Sequence, residues 1–263
     1  MATPVVTVAS GGLPVIDVTA TFPKLGLPVT EAFAGRGIAI TKVASGGLPV
    51  TFSTVADYPP PVIPFSAVAW DGATSTNVTL SNSNRTVTTT GGSSGDQGAR
   101  VANVSGKTTG KHYFECTFTT FIGGSFNTSI GVATTASSFV NFGNSNATGG
   151  CGVFPQTSSC QIFVNNGNSG FTLGNRAAGD ILGVAVDLTA RKIWFRVSPS
   201  GNWNGQAIGL QDPAAGIGGI AIPAGTMIPI STFSATGCIA TTNFGNAAFS
   251  GAVPTGYAQG WAV

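Results

Sequence analysis

Gly179-Asp180-Ile181-Leu182-Gly183-Val184-Ala185-Val186-Asp187-Leu188, followed after Thr189-Ala190-Arg191-Lys192 by Ile193-Trp194-Phe195-Arg196-Val197, is the stretch on which the fold of this chain turns. Leu182, Val184 and Val186 alternate onto one face of a strand, while Gly183 and Ala185 leave the other face open to close approach by a second layer. The polar run Thr189-Ala190-Arg191-Lys192 reverses the chain. Ile193, Phe195 and Val197 then alternate again, opposite Trp194 and Arg196. The pattern predicts a β-hairpin in the middle of a sandwich.

Composition agrees with that. In 263 residues, 42% are hydrophobic and only 8% charged, with a mean hydropathy of +0.30, so the chain can bury a substantial core and must coat its surface with Ser, Thr, Asn and Gly. The 38 Gly and 15 Pro, and the scarcity of helical spacing, favour an all-β class of short strands and turns. A formal net charge of +2 without any Lys/Arg cluster argues against nucleic acid, whose binding rests on clustered phosphate contacts. Met1-Ala2-Thr3-Pro4 starts neither a basic nor an apolar signal segment, so no secretory signal peptide is expected. The uncharged run from Pro213 to Thr242 is long enough to span a bilayer, but Gly216, Gly218, Gly219, Pro223, Gly225 and Pro229 break it. It is expected to form strands and loops, without membrane insertion. Asn-x-Ser/Thr triplets at Asn77, Asn103, Asn127 and Asn146 matter only in a glycosylating pathway and are chance in an Asn/Thr-rich chain.

Residues 1–65 have a different character. Val8-Ala9-Ser10-Gly11-Gly12-Leu13-Pro14-Val15 returns as Val43-Ala44-Ser45-Gly46-Gly47-Leu48-Pro49-Val50, with a shorter echo at Gly26-Leu27-Pro28-Val29. Nine of the 15 prolines fall here, which excludes a helix or a set of central strands. The segment reads as an extended Pro/Gly-rich arm ending in the stiff hinge Tyr58-Pro59-Pro60-Pro61-Val62-Ile63-Pro64. Too apolar for a Gly/Ser linker and too broken to be stable alone, it is expected to order against another chain or the following domain.

From residue 66 onward, short strand motifs follow in close order. Lys111-His112-Tyr113-Phe114-Glu115-Cys116-Thr117-Phe118 places Phe114, Cys116 and Phe118 on one face. Gly110-Lys111-His112-Tyr113-Phe114-Glu115, then Ile130-Gly131-Val132-Ala133, then Gly152-Val153-Phe154 with Ile162 to Gly167, then the central hairpin, then Met227-Ile228-Pro229-Ile230 and Thr242-Asn243-Phe244-Gly245, form a sequence of motifs that resembles the SPRY domain family. The resemblance covers residues 66–263 and rests on the order of the motifs more than on any one of them. It implies a concanavalin-like sandwich of two antiparallel sheets whose loops bind proteins, with no chemistry of its own.

Residues that carry chemistry elsewhere have bland roles here. His112, the sole histidine, has no Cys, Asp or Glu at metal-ligand spacing, and no nucleophile elbow accompanies it, so no catalytic residue, metal or cofactor is expected. Asp180 and Asp187 bracket the central strand and belong to its turns, paired there by Lys or Arg. Cys116 is expected to be a buried thiol. Cys151 and Cys160 flank the turn Pro155-Gln156-Thr157-Ser158-Ser159, and a bridge between them is expected if the protein functions outside the cell. Four cysteines allow three full pairings, so connectivity stays open.

Two loops are candidates for ligand contact. Trp203 and Asn204 lie in the polar loop Gly201-Asn202-Trp203-Asn204-Gly205, where a Trp either meets a partner or caps one end of the sandwich. Asn141 and Phe142, in the loop from Phe139 to Gly143, carry the same pair of readings.

A repetitive apolar arm joined to a SPRY-like module of very low charge points to a structural and binding protein of a particle. A bacteriophage virion surface component, in head decoration, collar or fibre, is the leading expectation. Leu13, Leu27 and Leu48 of the arm are expected to be assembly contacts. Expected partners are other virion proteins and copies of the chain, a trimer being one arrangement, with a host-surface protein or glycan as a further ligand. The alternative is a freestanding bacterial SPRY adaptor or carbohydrate-binding module in the cytoplasm or at the cell surface.

Overall fold

In the computed structural model, Ile181–Asp187 and Lys192–Ser198 pair antiparallel with Val184 opposite Phe195 and Val186 opposite Ile193, which is the hairpin expected from the alternation. The structure describes residues 20–21, 28–29, 67–91, 97–120, 128–142 and 147–262. The chain divides into two units, Met1–Pro61 and Val62–Val263. In the first, β1 (Ala20–Thr21) and β2 (Pro28–Val29) form an antiparallel pair. Leu13, Leu27 and Leu48, and with them the arm contacts, lie outside the described residues.

The regular structure of the second unit is nearly all strand. Its elements are β3 (Val78–Ser81), β4 (Thr86–Thr89), β5 (Gln97–Arg100), β6 (Lys111–Thr120), β7 (Thr128–Thr134), the short helix α1 (Phe139–Phe142) and β8 (Gly150–Phe154). There follow β9 (Gln161–Val164), β10 (Gly167–Thr172), β11 (Ile181–Asp187), β12 (Lys192–Ser198), β13 (Ile220–Ala221), β14 (Met227–Phe233), β15 (Ile239–Asn243) and β16 (Ala258–Gln259). One sheet runs β10-β9-β8-β7-β14-β5; the other runs β13-β12-β11-β6-β15-β4-β3, with β16 beside β6. The uncharged run from Pro213 to Thr242 is spent on a loop, β13, β14 and most of β15. Among the described residues no helix is long and apolar enough to cross a membrane.

The inner faces meet in one core. Phe114, Cys116 and Phe118 from β6, Leu182, Val184 and Val186 from β11, and Ile193 and Phe195 from β12 pack with Val132, Val153, Ile162, Met227 and Ile228 from the facing sheet. Truncating such a side chain to Ala costs about 2–5 kcal/mol. Val68 and Trp261 join by a backbone hydrogen bond of 3.0 Å, so the first and last described stretches of this unit lie together, with Trp70 edge-on to Phe244, and Phe114 tilted against Phe244 and edge-on to Trp261.

The outer faces are also covered, which alternation alone did not announce. On one sheet Ala133, Phe154, Phe163 and Ile230 point outward and are capped by Phe142 of α1. On the other, Tyr113, Ala185 and Trp194 point outward beneath Tyr257, Phe249, Val253 and Trp203. Gly183 makes room in that second layer, where the Tyr113 hydroxyl lies 2.6 Å from the place a Cβ would take.

Cys116 is the buried thiol it was expected to be, but the expected Cys151–Cys160 bridge is overturned. None of the four cysteines is in a disulfide, and all four are buried. Cys151 stands opposite Val164 in the β8–β9 ladder, whereas Cys160 precedes Gln161 at the far end of β9. Four residues of strand separate the two positions by about 13 Å, well beyond the roughly 7 Å that a disulfide tolerates between Cα atoms. Burial pushes the Cys116 and Cys160 thiols up to about 12 and Cys151 well above its usual range, as expected of inert core thiols.

Candidate functional site

The site is built from the edge of the larger sheet outward. β13 pairs with β12 only at Lys192 and Ile193, so beyond that point β12 loses its strand neighbour. Asn204 takes over. Its backbone is held at a φ of 49°, which brings its side chain back against the strand, where Oδ1 accepts the Phe195 N–H at 2.9 Å. Its Nδ2 donates to Gln211 Oε1 at 3.0 Å, and the same Gln211 oxygen accepts the Gly219 N–H at 2.7 Å. The buried Asn204 amide therefore ties β12 to Gln211 in the middle of the loop 205–219, and Gln211 in turn holds Gly219 at its end. Asn204 was expected to face a ligand; it is fully buried, with its amide consumed by the fold.

Further ties fix the same loop. Trp194 Nε1 donates to Ile217 O at 3.0 Å, Lys192 Nζ to Gly216 O at 3.1 Å, and Asp212 Oδ1 accepts Ala214 N–H at 2.9 Å. Gly219 has a φ of 85°, and a Cβ there would stand 2.6 Å from the Trp194 ring, so only glycine lets the loop return to β13. On this frame Ile208 is 93% exposed, Leu210 60% and Ile217 46%. Three branched apolar side chains are thus presented to water by a loop that cannot fold them away. Loops on rigid scaffolds are the usual place for recognition, and the hydrocarbon held in water here makes such contact favourable.

Trp203 borders this platform. Its ring is half-buried, lies over the Arg196 guanidinium at 4.5 Å and meets Tyr113 edge-on at 6.5 Å. Beneath it is a polar network at the heart of the outer face. Glu115 Oε1 accepts the Tyr113 hydroxyl at 2.6 Å and the Ser198 hydroxyl at 2.7 Å, while Arg196 Nη2 donates to Tyr113 at 3.3 Å. Burial, and then the Glu115 carboxylate, raise the Tyr113 phenol to about 12, so it stays a donor.

The other loop candidate is corrected. Phe139–Phe142 forms helix α1, and Phe142 is fully buried against Gly152, where a Cβ would come 2.8 Å from its ring. The apolar outward residues of β7, β8 and β14 needed a cover, and Phe142 supplies it. Asn141 lies in the same helix, its side chain outside the described residues. His112 sits beside Trp261 with 4.8 Å between ring centroids, and desolvation lowers its pKa. Asp187 pairs with Lys111 at 3.4 Å and Asp180 with Arg176 at 3.3 Å, the turn roles expected of them.

Sequence reasoning missed Ile208, Leu210, Ile217, Glu115 and Arg196. Ile217 was read as part of the broken apolar run from Pro213 to Thr242, and Ile208 and Leu210 were given no reading. The signal for Glu115 and Arg196 was opposite charge on neighbouring outward positions, which becomes visible only with the register: Gly183 pairs with Arg196 on one side and Glu115 on the other.

No protein-family model and no curated protein matches this sequence. Among solved structures the chain is similar to the SPRY domain of human HERC1, with a TM-score of 0.51 and 16% identity over 66% of this chain and 96% of that one. The TRIM65 PSpry domain follows with a TM-score of 0.49 and 14% identity, over 67% and 92% of the two chains. The likeness to the HERC1 domain and the two-sheet topology define a SPRY-like fold.

Proposed function

We propose that this chain is a non-enzymatic binding protein that engages protein partners through its SPRY-like sandwich and serves as a surface component of a bacteriophage virion. The observation that carries the binding reading is the loop 205–219, which holds Ile208, Leu210 and Ile217 in solvent on a frame of buried and half-buried hydrogen bonds. An interface core is apolar and poor in charge, and this loop has one acid, Asp212, turned back onto its own backbone. The virion reading draws on the repeated arm and on a composition with 8% charged residues. In it the arm anchors through Leu13, Leu27 and Leu48 to other virion proteins or to copies of the chain, and the sandwich projects its loop toward a host-surface protein or glycan.

The test compares three full-length chains in the particles of the phage whose genome encodes them: wild type, Leu13→Asp/Leu27→Asp/Leu48→Asp, and Ile208→Asp/Leu210→Asp. The arm variant is expected to be missing from purified virions. The loop variant is expected to incorporate normally and to lose at least tenfold in adsorption to the host. Wild-type chain that is absent from virions, and behaves in light scattering as a monomer, overturns the virion reading in favour of a freestanding adaptor. Loop substitutions without effect on any partner overturn the platform.

A further inference from the structure

Residues 245–256 form an irregular strap across the outer face of the larger sheet, and among the described residues no backbone hydrogen bond joins 246–256 to a strand. The base of the strap is closed: Trp261 N–H donates to Phe244 O at 3.0 Å, so the strap leaves and rejoins the sandwich at one place. What holds it down is a set of side chains reading its main chain. Glu115 Oε2 accepts the Ser250 N–H at 2.8 Å, Glu115 Oε1 accepts the Gly251 N–H at 2.9 Å, and Arg196 Nη2 donates to Ala252 O at 2.6 Å. Phe249 packs edge-to-face on Tyr113, 5.0 Å between centroids.

The receiving surface is set without the strap. Tyr113 and Ser198 orient the Glu115 carboxylate from within the sheet, and Trp203 lies over Arg196 from the other side. A carboxylate that takes two successive N–H groups, beside a guanidinium that takes the C=O of the following residue, fits a main chain bent at Ser250-Gly251, since successive N–H groups of an extended strand point to opposite sides. The glycine is specified too, because a Cβ at Gly251 would run into the Arg196 guanidinium and come 3.0 Å from Ser198 Oγ.

We propose that this surface is a peptide-recognition site, filled in the free protein by the chain's own Phe249-Ser250-Gly251-Ala252, and that a partner segment of the form aromatic-small-Gly-small takes the same place when the strap lifts. The strap can lift without breaking a ladder, and while closed it lowers the apparent affinity for the partner by the fraction of time it is open. The inference concerns a surface apart from the apolar loop and does not rest on that loop binding anything.

The probe is a fluorescein-labelled synthetic peptide with the sequence of residues 246–255, titrated by fluorescence polarisation into the full chain and two variants, Gly251→Ala and Phe249→Ala, whose own straps are weakened. Hydrogen exchange at the Ser250 and Gly251 amides reports whether each strap is open. Wild type is expected to bind at least tenfold more weakly than either variant. Replacing the glycine of the peptide by alanine, or adding Glu115→Gln to the Gly251→Ala chain, is expected to weaken binding at least tenfold. A variant with an open strap that does not bind at millimolar peptide overturns the proposal. So do straps that stay protected in both variants. Loss of the fold in both also overturns it, since the strap would then be part of the core.

Discussion

Replacing Asn204 tests how the apolar loop is held. In Asn204→Ala the Phe195 N–H, buried at the sheet edge, loses its acceptor, and Gln211 loses the donor that locks it to Gly219. An unsatisfied buried N–H costs about 1–3 kcal/mol. The φ of 49° adds a second cost, since Ala in the left-handed region is disfavoured by about 1–2 kcal/mol. The sum, about 2–5 kcal/mol, is large against the marginal stability of a domain. Two further variants separate its parts. Asn204→Gly removes the hydrogen bonds without the backbone penalty and is expected to fall about 1 kcal/mol short of Ala. Asn204→Asp keeps an acceptor for the Phe195 N–H but buries a carboxylate and sets its second oxygen against the Gln211 Oε1 acceptor, so it is expected to cost at least as much as Ala. Urea unfolding with a common slope gives the stabilities, and amide exchange at Phe195 and Gly219 locates the loss. Ala within 0.5 kcal/mol of wild type, or Asp as stable as wild type, would refute the role given to this side chain.

Phe114→Ala, at the centre of the core between the sheets, is expected to cost about 3–5 kcal/mol in the same unfolding assay, and a cost under 1 kcal/mol would contradict its placement. For His112 the folded pKa lies below its ordinary value because burial disfavours the imidazolium, so its contribution is complete above the unfolded pKa of about 6.5 and is lost as pH falls through the folded value. Thermal unfolding from pH 8 to pH 4.5 is expected to show a decline in stability that His112→Gln reduces; equal pH profiles for the two chains would exclude the assignment. All four cysteines are expected to be recovered as free thiols on non-reducing peptide mapping and to resist a thiol reagent until the chain is unfolded.

The inner face of the sandwich was legible because it obeys a period. Phe114, Phe118, Val184, Val186, Ile193 and Phe195 alternate along their strands, and every one is buried. The outer faces were not legible, because what covers them has no period. Phe142 comes from a single helical turn, Trp203 from a polar loop, and Phe249 and Tyr257 from a strap without regular structure. Asn204 was misread for the same reason. A polar residue in a Gly/Asn loop signals a turn, and nothing in the sequence says that its amide faces the strand it follows. Cys151 and Cys160 bracket a turn in sequence, yet the register puts Val164 and not Cys160 beside Cys151.

The register also explains how so few charges suffice. Glu115 and Arg196 hold the strap, Lys111 and Asp187 pair at one end of the central hairpin, and Arg176 and Asp180 pair at the other. Arg100 donates to Ser137 O at 3.1 Å and lies over the Phe139 ring at the entry to α1, while Asp71 accepts the Ala73 N–H and the Thr74 hydroxyl in the first turn. These charged groups sit where an irregular segment must be fixed to a regular one, because a carboxylate or guanidinium can satisfy several main-chain groups at once in geometry that a ladder cannot reach. Solubility then falls to uncharged hydroxyls such as Thr79, Ser81 and Thr88, which line the strands β3 and β4. In the contact proposed above, a partner at the loop 205–219 would meet side chains that shed water readily and almost no fixed charge. The specificity of such a contact must come from the shape in which Asn204, Gln211 and Trp194 hold Ile208, Leu210 and Ile217.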